Sequence, residues 1–520
     1  MKRALLIAFA LLFAFSCCAC KDESETKNSS SKSVSKVKKS ENKNAKKSSK
    51  KSKTKNLTLY FCYSDSLDPY SAQSSGNQSI CPLLFDSLTK LDNDLNPKNL
   101  IASEIENEGT TVRISLNSYK FSDGTTVSAS DVIYSIEKCK GAKYGAYVHQ
   151  LDNVKSYTSS GDEVVLTLDH ADKNFARVLD FPILKSGTTK KTNSDGKAIP
   201  PVGSGRYVLS DNKGKFSLKA NEYYFGKKPK YKINLKNIPD YDSLEYLIRS
   251  NSINVYYSGF ATKEMPTLKT KTKTVNLTNL VYLGINQKNT FLGEKNIRKA
   301  ISYAISRADI SENCYYSLSK AALSIYNESN KIIEKHNDIF NGSSESEKSK
   351  DALEKAGYKT LGSQGYYKNS SGDHITLSLL YNKDNNLQSM SATSLIKQMK
   401  SAGIEVKADA RDEKSYKNAV KKGDYEIYLA EIRLNKSFDY TSLLNTKVKL
   451  KDKNKFLSVY KKYLQGSVEI EEVLTSFKDE LPFVPLVFKL GTLSIYGNFS
   501  KEIISSISDP YYNIESIHLK

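Results

Sequence analysis

Cysteine and histidine are the residue types in this chain that most readily ligate metals or act as nucleophiles, and their spacing favours neither role. The 520 residues include five scattered histidines. The cysteines beyond the N-terminal region show no CxxC spacing, and they are Cys62, Cys81, Cys139 and Cys314. The sequence contains no zinc motif and no serine–histidine–aspartate arrangement. We therefore expect no enzyme activity, no metal site and no cofactor, and we favour buried free thiols.

Two other motifs contain residue types that occur in functional sites, but a structural role is favoured for each. Gly203 and Gly205 lie in a GSG run, yet a strand-like RYVL follows instead of the helix N-terminus that binds phosphate. Asp131 follows Ser128 at the spacing of a capping box. We therefore expect Asp131 to cap a helix rather than act as an acid.

The first 20 residues have the pattern of an export signal. Lys2 and Arg3 precede an apolar run of about twelve residues, from Ala4 to Phe15. This run is short for a membrane-spanning helix, which needs about 20 residues. A cysteine cluster follows, consisting of Cys17, Cys18 and Cys20. A small residue before cysteine is typical of a lipoprotein cleavage site, so we expect Cys20 to carry the lipid, with Cys17 as the rival.

About half of the formal net charge of +21 lies in the first 56 residues. Residues 21–56 contain 13 lysines, four acids and almost no large apolar side chain, which predicts a disordered tether. Such a basic segment is attracted to anionic lipid. Because no compact basic and aromatic motif is found, no nucleic-acid partner is expected.

From residue 57 onwards the pattern alternates between strands and helices, which indicates the α/β class. Strands are predicted in NLTLYFCY, near residues 375–381 and near 425–432. Helices are predicted in KNIRKAISYAISR, in SATSLIKQMKSAG with a stop at Gly403, and in DALEKAGY with a stop at Gly357. Residues 342–350 and 185–197 are rich in small or charged polar side chains and are predicted to be surface loops.

The segment FSDGTTVSASDVIYSIEK is the most informative motif of the chain. Its Asp-Gly pair predicts a turn, and a short apolar face at helical spacing follows. The segment resembles the signature of the family 5 extracellular solute-binding proteins, which are receptors of peptide-type ABC importers. The matching residues are Phe121, Asp123, Gly124, Ala129, Asp131, Val132 and Ser135.

Further motifs of the same family follow in the family's order, and together they cover nearly all of the chain beyond the tether. They are LDPY at 67–70, Phe85 in LLFDSLTKLD, PPVGSGRYVL at 200–209, LKANEYYFGKKP at 218–229, LGINQKN at 283–289, IRKAISYAISR at 297–307 and LPFVPLVF at 481–488. Each motif is weak alone, but their order makes the resemblance specific.

The resemblance implies a two-lobed, periplasmic-binding-protein-like fold (type II, cluster C) with mixed sheets and a hinge between the lobes. The first lobe would comprise residues 57–272 plus 487–520, and the second residues 273–486. A ligand would bind in the cleft and be buried as the hinge closes.

Peptide-binding relatives hold their ligand as an added strand, through main-chain hydrogen bonds. The resemblance places one strip of the cleft after the LDP motif, at Gln73, Ser74 and Ser75. It places the other strip after the strand near 425–432, at Ile432, Arg433, Leu434, Asn435, Lys436 and Asp439.

The family's acid for a peptide's α-ammonium would fall on Asn435 or Lys436, and neither supplies a negative charge. Either Asp439 or another acid takes that role, or the ligand lacks a free amine there. Lys436 or Arg433 would instead meet a ligand carboxylate, with solvent exposure as the alternative. Tyr256 and Tyr257 are candidate aromatic walls in a chain without tryptophan, with core packing as the other interpretation.

The expected function is that of a lipid-anchored receptor on the extracellular face of the cell membrane. It would capture short peptides as a monomer and deliver them to the permease subunits of an ABC importer. The alternatives are another small solute (chelated nickel, an opine or a sugar), or a secreted sensor or enzyme on the same fold.

Overall fold

The structure is a computed structural model. It describes residues 56–92, 94–189, 199–238, 252–259, 271–330, 339–452 and 454–520, together with Ser243, residues 246–248 and Ser250. The predicted signal peptide, Cys20 and nearly all of the predicted tether lie outside the described residues.

Strands and helices mix along the described chain, as the sequence predicts. The strands are β1 (Thr58–Phe61), β2 (Thr89–Leu91), β3 (Pro97–Asn99), β4 (Ala102–Glu108), β5 (Thr111–Leu116), β6 (Val154–Ser160), β7 (Glu163–Leu168), β8 (Tyr207–Asn212), β9 (Lys215–Ala220), β10 (Ile233–Asn237), β11 (Val255–Ser258), β12 (Lys271–Ile285), β13 (Ser319–Ala321), β14 (Thr360–Leu361), β15 (Tyr367–Lys368), β16 (Thr376–Asn382), β17 (Glu405–Arg411), β18 (Ile427–Arg433) and β19 (Phe483–Ile495).

The longer helices are α1 (Ser75–Leu84), α2 (Ala129–Lys140), α3 (Lys295–Ala304), α4 (Ser346–Lys355), α5 (Asn386–Ser401), α6 (Glu413–Lys422), α7 (Lys455–Leu464) and α8 (Ile470–Glu480). Shorter helical turns are Phe175–Val178, Arg307–Asp309, Ile310–Cys314, Leu443–Lys447 and Ile514–Ser516.

Three larger sheets organise these strands. One has the order β1-β10-β9-β8, a second the order β4-β5-β7-β6, and the third the order β11-β19-β12-β18-β16-β17 with β13 also paired to β19. The first and third sheets mix parallel and antiparallel pairs. β12 and β19 are the longest strands of the third sheet, and they pair with each other over most of their length.

The buried apolar side chains form separate clusters. The first draws on residues between Leu57 and Val275 and on the C-terminal segment from Leu493 to Ile517. Two further clusters draw mainly on residues between Leu280 and Phe488. β12 and β19 contribute to all three clusters, so these two strands connect the cores.

Several elements form where local sequence signals place them. The side chain of Asp131 accepts the amide hydrogen of Ser128 at 2.9 Å, which confirms the capping box at the start of α2. Gly403, just after α5, has a φ of +79°, a conformation that glycine adopts without strain. Among the described cysteines, all four are free thiols and three are buried.

The loop predicted at residues 342–350 is wrong in its second half, because α4 begins at Ser346. Glu347 is an acid in the first turn, which favours a helix N-terminus. The hydroxyl of Ser349 donates to the carbonyl of Ala300 at 2.9 Å, so it is buried against α3. The other predicted loop lies outside the described residues from position 190 to its end.

Gly203 and Gly205 have a packing role. A Cβ atom on Gly203 would lie 2.3 Å from the carbonyl oxygen of Leu84, and one on Gly205 would lie 2.4 Å from the carbonyl carbon of the same residue. The GSG run therefore permits close approach to the end of α1.

Candidate functional site

Two neighbouring strands supply the centre of the candidate site. β12 and β18 are antiparallel, and Asn279 lies directly opposite Arg433. Opposite residues in such a pair share one face of the sheet, with Cβ atoms about 4.5–5.5 Å apart. Just beyond β18, the amide of Leu434 donates to the carbonyl of Thr278 at 3.1 Å, so the chain remains beside this face.

A tight turn follows β18 and is held by a side chain. Phe438 has a φ of +58°, in the left-handed region. The Oδ1 atom of Asn435 accepts hydrogen bonds from the Ser437 hydroxyl at 2.9 Å and from the Asp439 amide at 3.2 Å. This turn fixes the positions of the side chains that precede and follow it.

A cavity of about 70 Å³ lies against the turn. The predicted residues that line it are Ser75, Arg433, Leu434, Asn435 and Lys436. A site for one water molecule needs about 10–15 Å³, so the cavity has room for a few waters. A peptide needs more room than this conformation offers. Among the described residues that line the cavity there are two cations and no carboxylate.

The two cations have different partners. Arg433 donates from Nη1 to the carbonyl oxygen of Gly145 at 2.9 Å, and burial lowers its pKa. Lys436 is only 8% exposed, and its ammonium group contacts the carboxylate of Asp180. Arg433 at the end of β18 and Lys436 in the turn after it therefore both contact the segment between residues 145 and 180.

Asp180 is a buried acid with a complete set of donors. Its Oδ1 accepts from Nε2 of Gln150 at 2.8 Å, and its Oδ2 accepts from the hydroxyl of Ser508 at 2.6 Å as well as from Lys436. Asp180 therefore neutralises Lys436, and the wall formed by Arg433, Lys436 and Asp180 contains one more cation than acid.

The first predicted strip lies at the start of a helix. Ser74 is the N-cap of α1, and Ser75 is already helical. The backbone amides of Gln73 and Ser74 donate to the carboxylate of Asp65 at 3.0 and 2.8 Å. Of this strip only Ser75 lines the cavity, where its hydroxyl is 2.9 Å from the hydroxyl of Tyr60.

Asp439 lies away from the cavity lining. Its Oδ2 is 2.7 Å from Nε2 of His170, and its Oδ1 accepts from the amide of Thr441 at 2.8 Å. Burial alone raises the pKa of Asp439, but the hydrogen bonds from His170 and Thr441 bring it below its ordinary value. This carboxylate is therefore ionised and already paired within the protein.

Ile432 and Tyr256 also lie outside the cavity lining. Ile432 packs against the apolar cluster on the opposite side of β18. Tyr256 is buried, and its ring centroid lies 5.1 Å from that of Tyr60. Tyr257, the other aromatic candidate, lines the cavity.

Sequence reasoning missed several residues of the site. Tyr147, Gln150 and Ser508 lie in loops without a motif, and no local signal distinguishes them. Asn279 offered a signal, since it is an isolated amide followed by the apolar run LVYLGI.

The described residues offer no obvious metal centre or membrane-spanning helix. Within that part of the chain, no group of three histidine, cysteine or acidic side chains is arranged to hold a metal ion. None of the helices found there combines the length and the apolar character that crossing a bilayer requires.

A model of the bacterial extracellular solute-binding proteins, family 5, matches residues 96–454. The chain belongs to this family. Members of family 5 are solute-binding proteins rather than enzymes. The resemblance drawn from the sequence motifs is thereby confirmed.

This family 5 protein is 28% identical over 349 residues to the oligopeptide-binding protein AppA of Bacillus subtilis (strain 168). The match covers 62% of this chain and 63% of that relative, so the chain spans less than two thirds of the relative's length.

Solved structures of similar proteins identify the fold. AppA from Bacillus subtilis in complex with a nonapeptide has a TM-score of 0.56 at 22% identity, covering 90% of this chain and 100% of that one. An ABC transporter substrate-binding protein from Sinorhizobium meliloti has a TM-score of 0.68 at 19% identity, covering 89% of this chain and 99% of that one. The predicted two-lobed α/β fold is confirmed.

Proposed function

We propose that this family 5 protein is the peptide-capturing receptor of an ABC importer and that the cavity beside Arg433 is its binding site. The observation that carries the proposal is the set of residues that line this cavity. Its lining comes from α1, from the strands between the cores, from the turn after β18 and from the C-terminal segment. The oligopeptide-binding relative AppA supports peptides as the cargo class.

We assign residues 57–272 plus 487–520 to the first lobe and residues 273–486 to the second. The composition of the apolar clusters supports this division, with β12 and β19 as the connecting strands. The cavity as it stands is too small for a peptide. Peptide entry would therefore require hinge opening, and closure would bury the ligand.

The peptide would lie beside β18 as an added strand. β16 pairs with β18 only at Ile427 and Tyr428, so the C-terminal part of β18 extends beyond this neighbour. Main-chain hydrogen bonds along such an edge bind peptides without selecting side chains.

The charges favour one polarity for the bound peptide. Arg433 lines the cavity, no carboxylate is among the described residues that line it, and Asp180 is already paired with Lys436. A buried α-ammonium without a counter-charge is costly. We therefore place the peptide's carboxylate, rather than its amine, at Arg433.

The N-terminal residues would tether this receptor to the membrane. The signal pattern in residues 1–20 and the small residue before Cys20 support acylation at Cys20, and residues 21–56 would then be the tether at the extracellular face. We propose a monomer that contacts permease subunits of the importer.

Mass spectrometry of the ligand released from the purified protein, with a thermal-shift screen of short peptides, tests this function. A peptide at 100 times its Kd stabilises the folded state by about 2.7 kcal/mol, so binders should raise Tm measurably. Release of a nickel chelate, an opine or a sugar, together with the absence of any peptide-induced shift, would refute the proposal.

A further inference from the structure

Asn279 presents a buried hydrogen-bond acceptor without a partner among the described residues. The residue is 4% exposed, and it lines the cavity. Its Nδ2 donates to Oε1 of Glu431 at 2.7 Å, whereas its Oδ1 has no hydrogen-bond partner in the described part of the chain. Leaving a buried acceptor unsatisfied lowers stability, so such a group calls for an explanation.

The orientation of this amide is fixed by charge. Glu431 is itself held by the ammonium of Lys489 at 3.2 Å. Rotating the amide by 180° would turn Oδ1 of Asn279 towards the carboxylate of Glu431, and two acceptors would then face each other. The Glu431 carboxylate therefore keeps the amide NH₂ on its own side and leaves Oδ1 as the acceptor of a residue that lines the cavity.

The cross-strand register places this acceptor next to the site's guanidinium group, because Asn279 is opposite Arg433. A ligand that satisfies both needs an N–H donor and a carboxylate a few ångströms apart. The C-terminal residue of a peptide has this arrangement, since its amide N–H and its carboxylate are attached to the same Cα atom.

We infer that Asn279 is a specificity-determining residue that accepts the amide N–H of the ligand's C-terminal residue, while Arg433 binds the adjacent carboxylate. This inference rests on the proposed peptide-binding function. An α-ammonium is a poorer occupant, because no carboxylate lies among the described residues that line the cavity. A ligand with an ester in place of the last amide retains the shape and the carboxylate but lacks the donor.

The test measures calorimetric affinities of a binding peptide and of its depsipeptide analogue, in which the last amide N–H is replaced by oxygen. The wild-type protein should bind the amide about tenfold more tightly, the usual value of one neutral hydrogen bond. Asn279→Leu should bind both ligands equally. Asn276→Leu is the matched control, because Asn276 lies on the same strand outside this cavity and should preserve the preference.

Each outcome decides the inference. Equal wild-type affinities for amide and ester, or a preference retained in Asn279→Leu, would overturn the role of Asn279 while leaving peptide capture intact. If Asn279→Leu fails to fold, Asn279→Ser replaces it, because the shorter side chain no longer reaches the ligand. If no peptide binds the wild-type protein, the proposed function fails, and the role of Asn279 fails with it.

Discussion

Two ion pairs join the same two segments of this protein, yet they differ in surroundings. Asp180 with Lys436 and His170 with Asp439 both connect residues 170–180 to the turn after β18. Lys436 lines the cavity, and its pair is almost completely buried. The His170 side chain is 30% exposed, and its pair lies away from the cavity lining.

Only the pair away from the cavity contains a histidine. The pair beside the cavity contains no histidine, and its acid accepts from Gln150 and Ser508 as well. The other pair contains His170, whose charge changes near neutral pH. The two pairs therefore make different predictions for stability, for pH dependence and for ligand binding.

The largest effect is expected for Asp180→Asn, which leaves the ammonium of Lys436 buried beside a neutral amide. Breaking a buried pair from one side costs about 3–5 kcal/mol. We expect a loss of this size in the free energy of unfolding, measured by urea denaturation.

The double variant Asp180→Asn/Lys436→Met is the control, because it removes both charges. Replacing a buried pair by apolar groups is often close to neutral, so most of the lost stability should return. A loss below about 1 kcal/mol in Asp180→Asn, the range of exposed pairs, would mean that Lys436 reaches solvent.

Arg433→Gln tests the ligand side of the same region. Removing a charged hydrogen bond should weaken binding of a peptide with a free carboxylate by about tenfold to a hundredfold. The C-terminal amide of the same peptide should bind the wild type weakly, and the variant should hardly distinguish the two ligands. Calorimetry measures all four affinities, and an undiminished preference of Arg433→Gln for the free carboxylate would contradict the proposed polarity.

His170→Asn should have a smaller, pH-dependent effect. Burial lowers the pKa of His170, but Asp439, Asp172 and Asp169 outweigh it, so the pKa lies above its ordinary value. The stabilisation is therefore fully present below about pH 6.5, and it is lost as the pH rises through the raised value. We expect the variant to lose about 1–2 kcal/mol at pH 6 and less at pH 8.

Asp172 adds to this pH dependence in the same direction. Burial raises its pKa to about 6, with the charge of Asp439 as the next cause. A carboxyl group with a raised folded-state pKa stabilises the protein at low pH and loses that contribution as the pH rises through about 4 to 6. Urea denaturation between pH 5 and pH 8 separates the two groups, because Asp172→Asn removes only the lower step. A variant difference that increases with pH would contradict this assignment.

The local elements of the fold were readable from sequence, and the long-range contacts were not. The cap at Asp131 and the stop at Gly403 depend on neighbours within a few residues, so their signals are local. Asp180 meets Lys436 across 256 residues of chain, and nothing around Asp180 marks it as a partner. The pairing of Asp180 with Lys436 could therefore not be predicted from the sequence, because only the fold brings the two segments together.

The candidate site shows the same division. The motif after β18 names Arg433 and Lys436, which both line the cavity, because strand and turn are adjacent in sequence. At the first strip the Ser74 hydroxyl accepts the amide hydrogen of Asn77 and caps α1, and of the three residues named there only Ser75 lines the cavity. The pairing of Asn279 with Arg433 needed the register of two strands about 150 residues apart.

The smallest effect is expected for Asp439→Asn on peptide affinity. Both oxygens of Asp439 are already bonded, to His170 and to the amide of Thr441, and the residue lies outside the cavity lining. The variant should bind a peptide and its N-acetylated analogue as the wild type does, because no ligand amine reaches this carboxylate. Calorimetry with the two ligands measures this. The contrary result is that acetylation weakens binding to the wild type and that Asp439→Asn removes this difference. Asp439 would then bind the α-ammonium, and the pair away from the cavity would be the one that recognises the ligand.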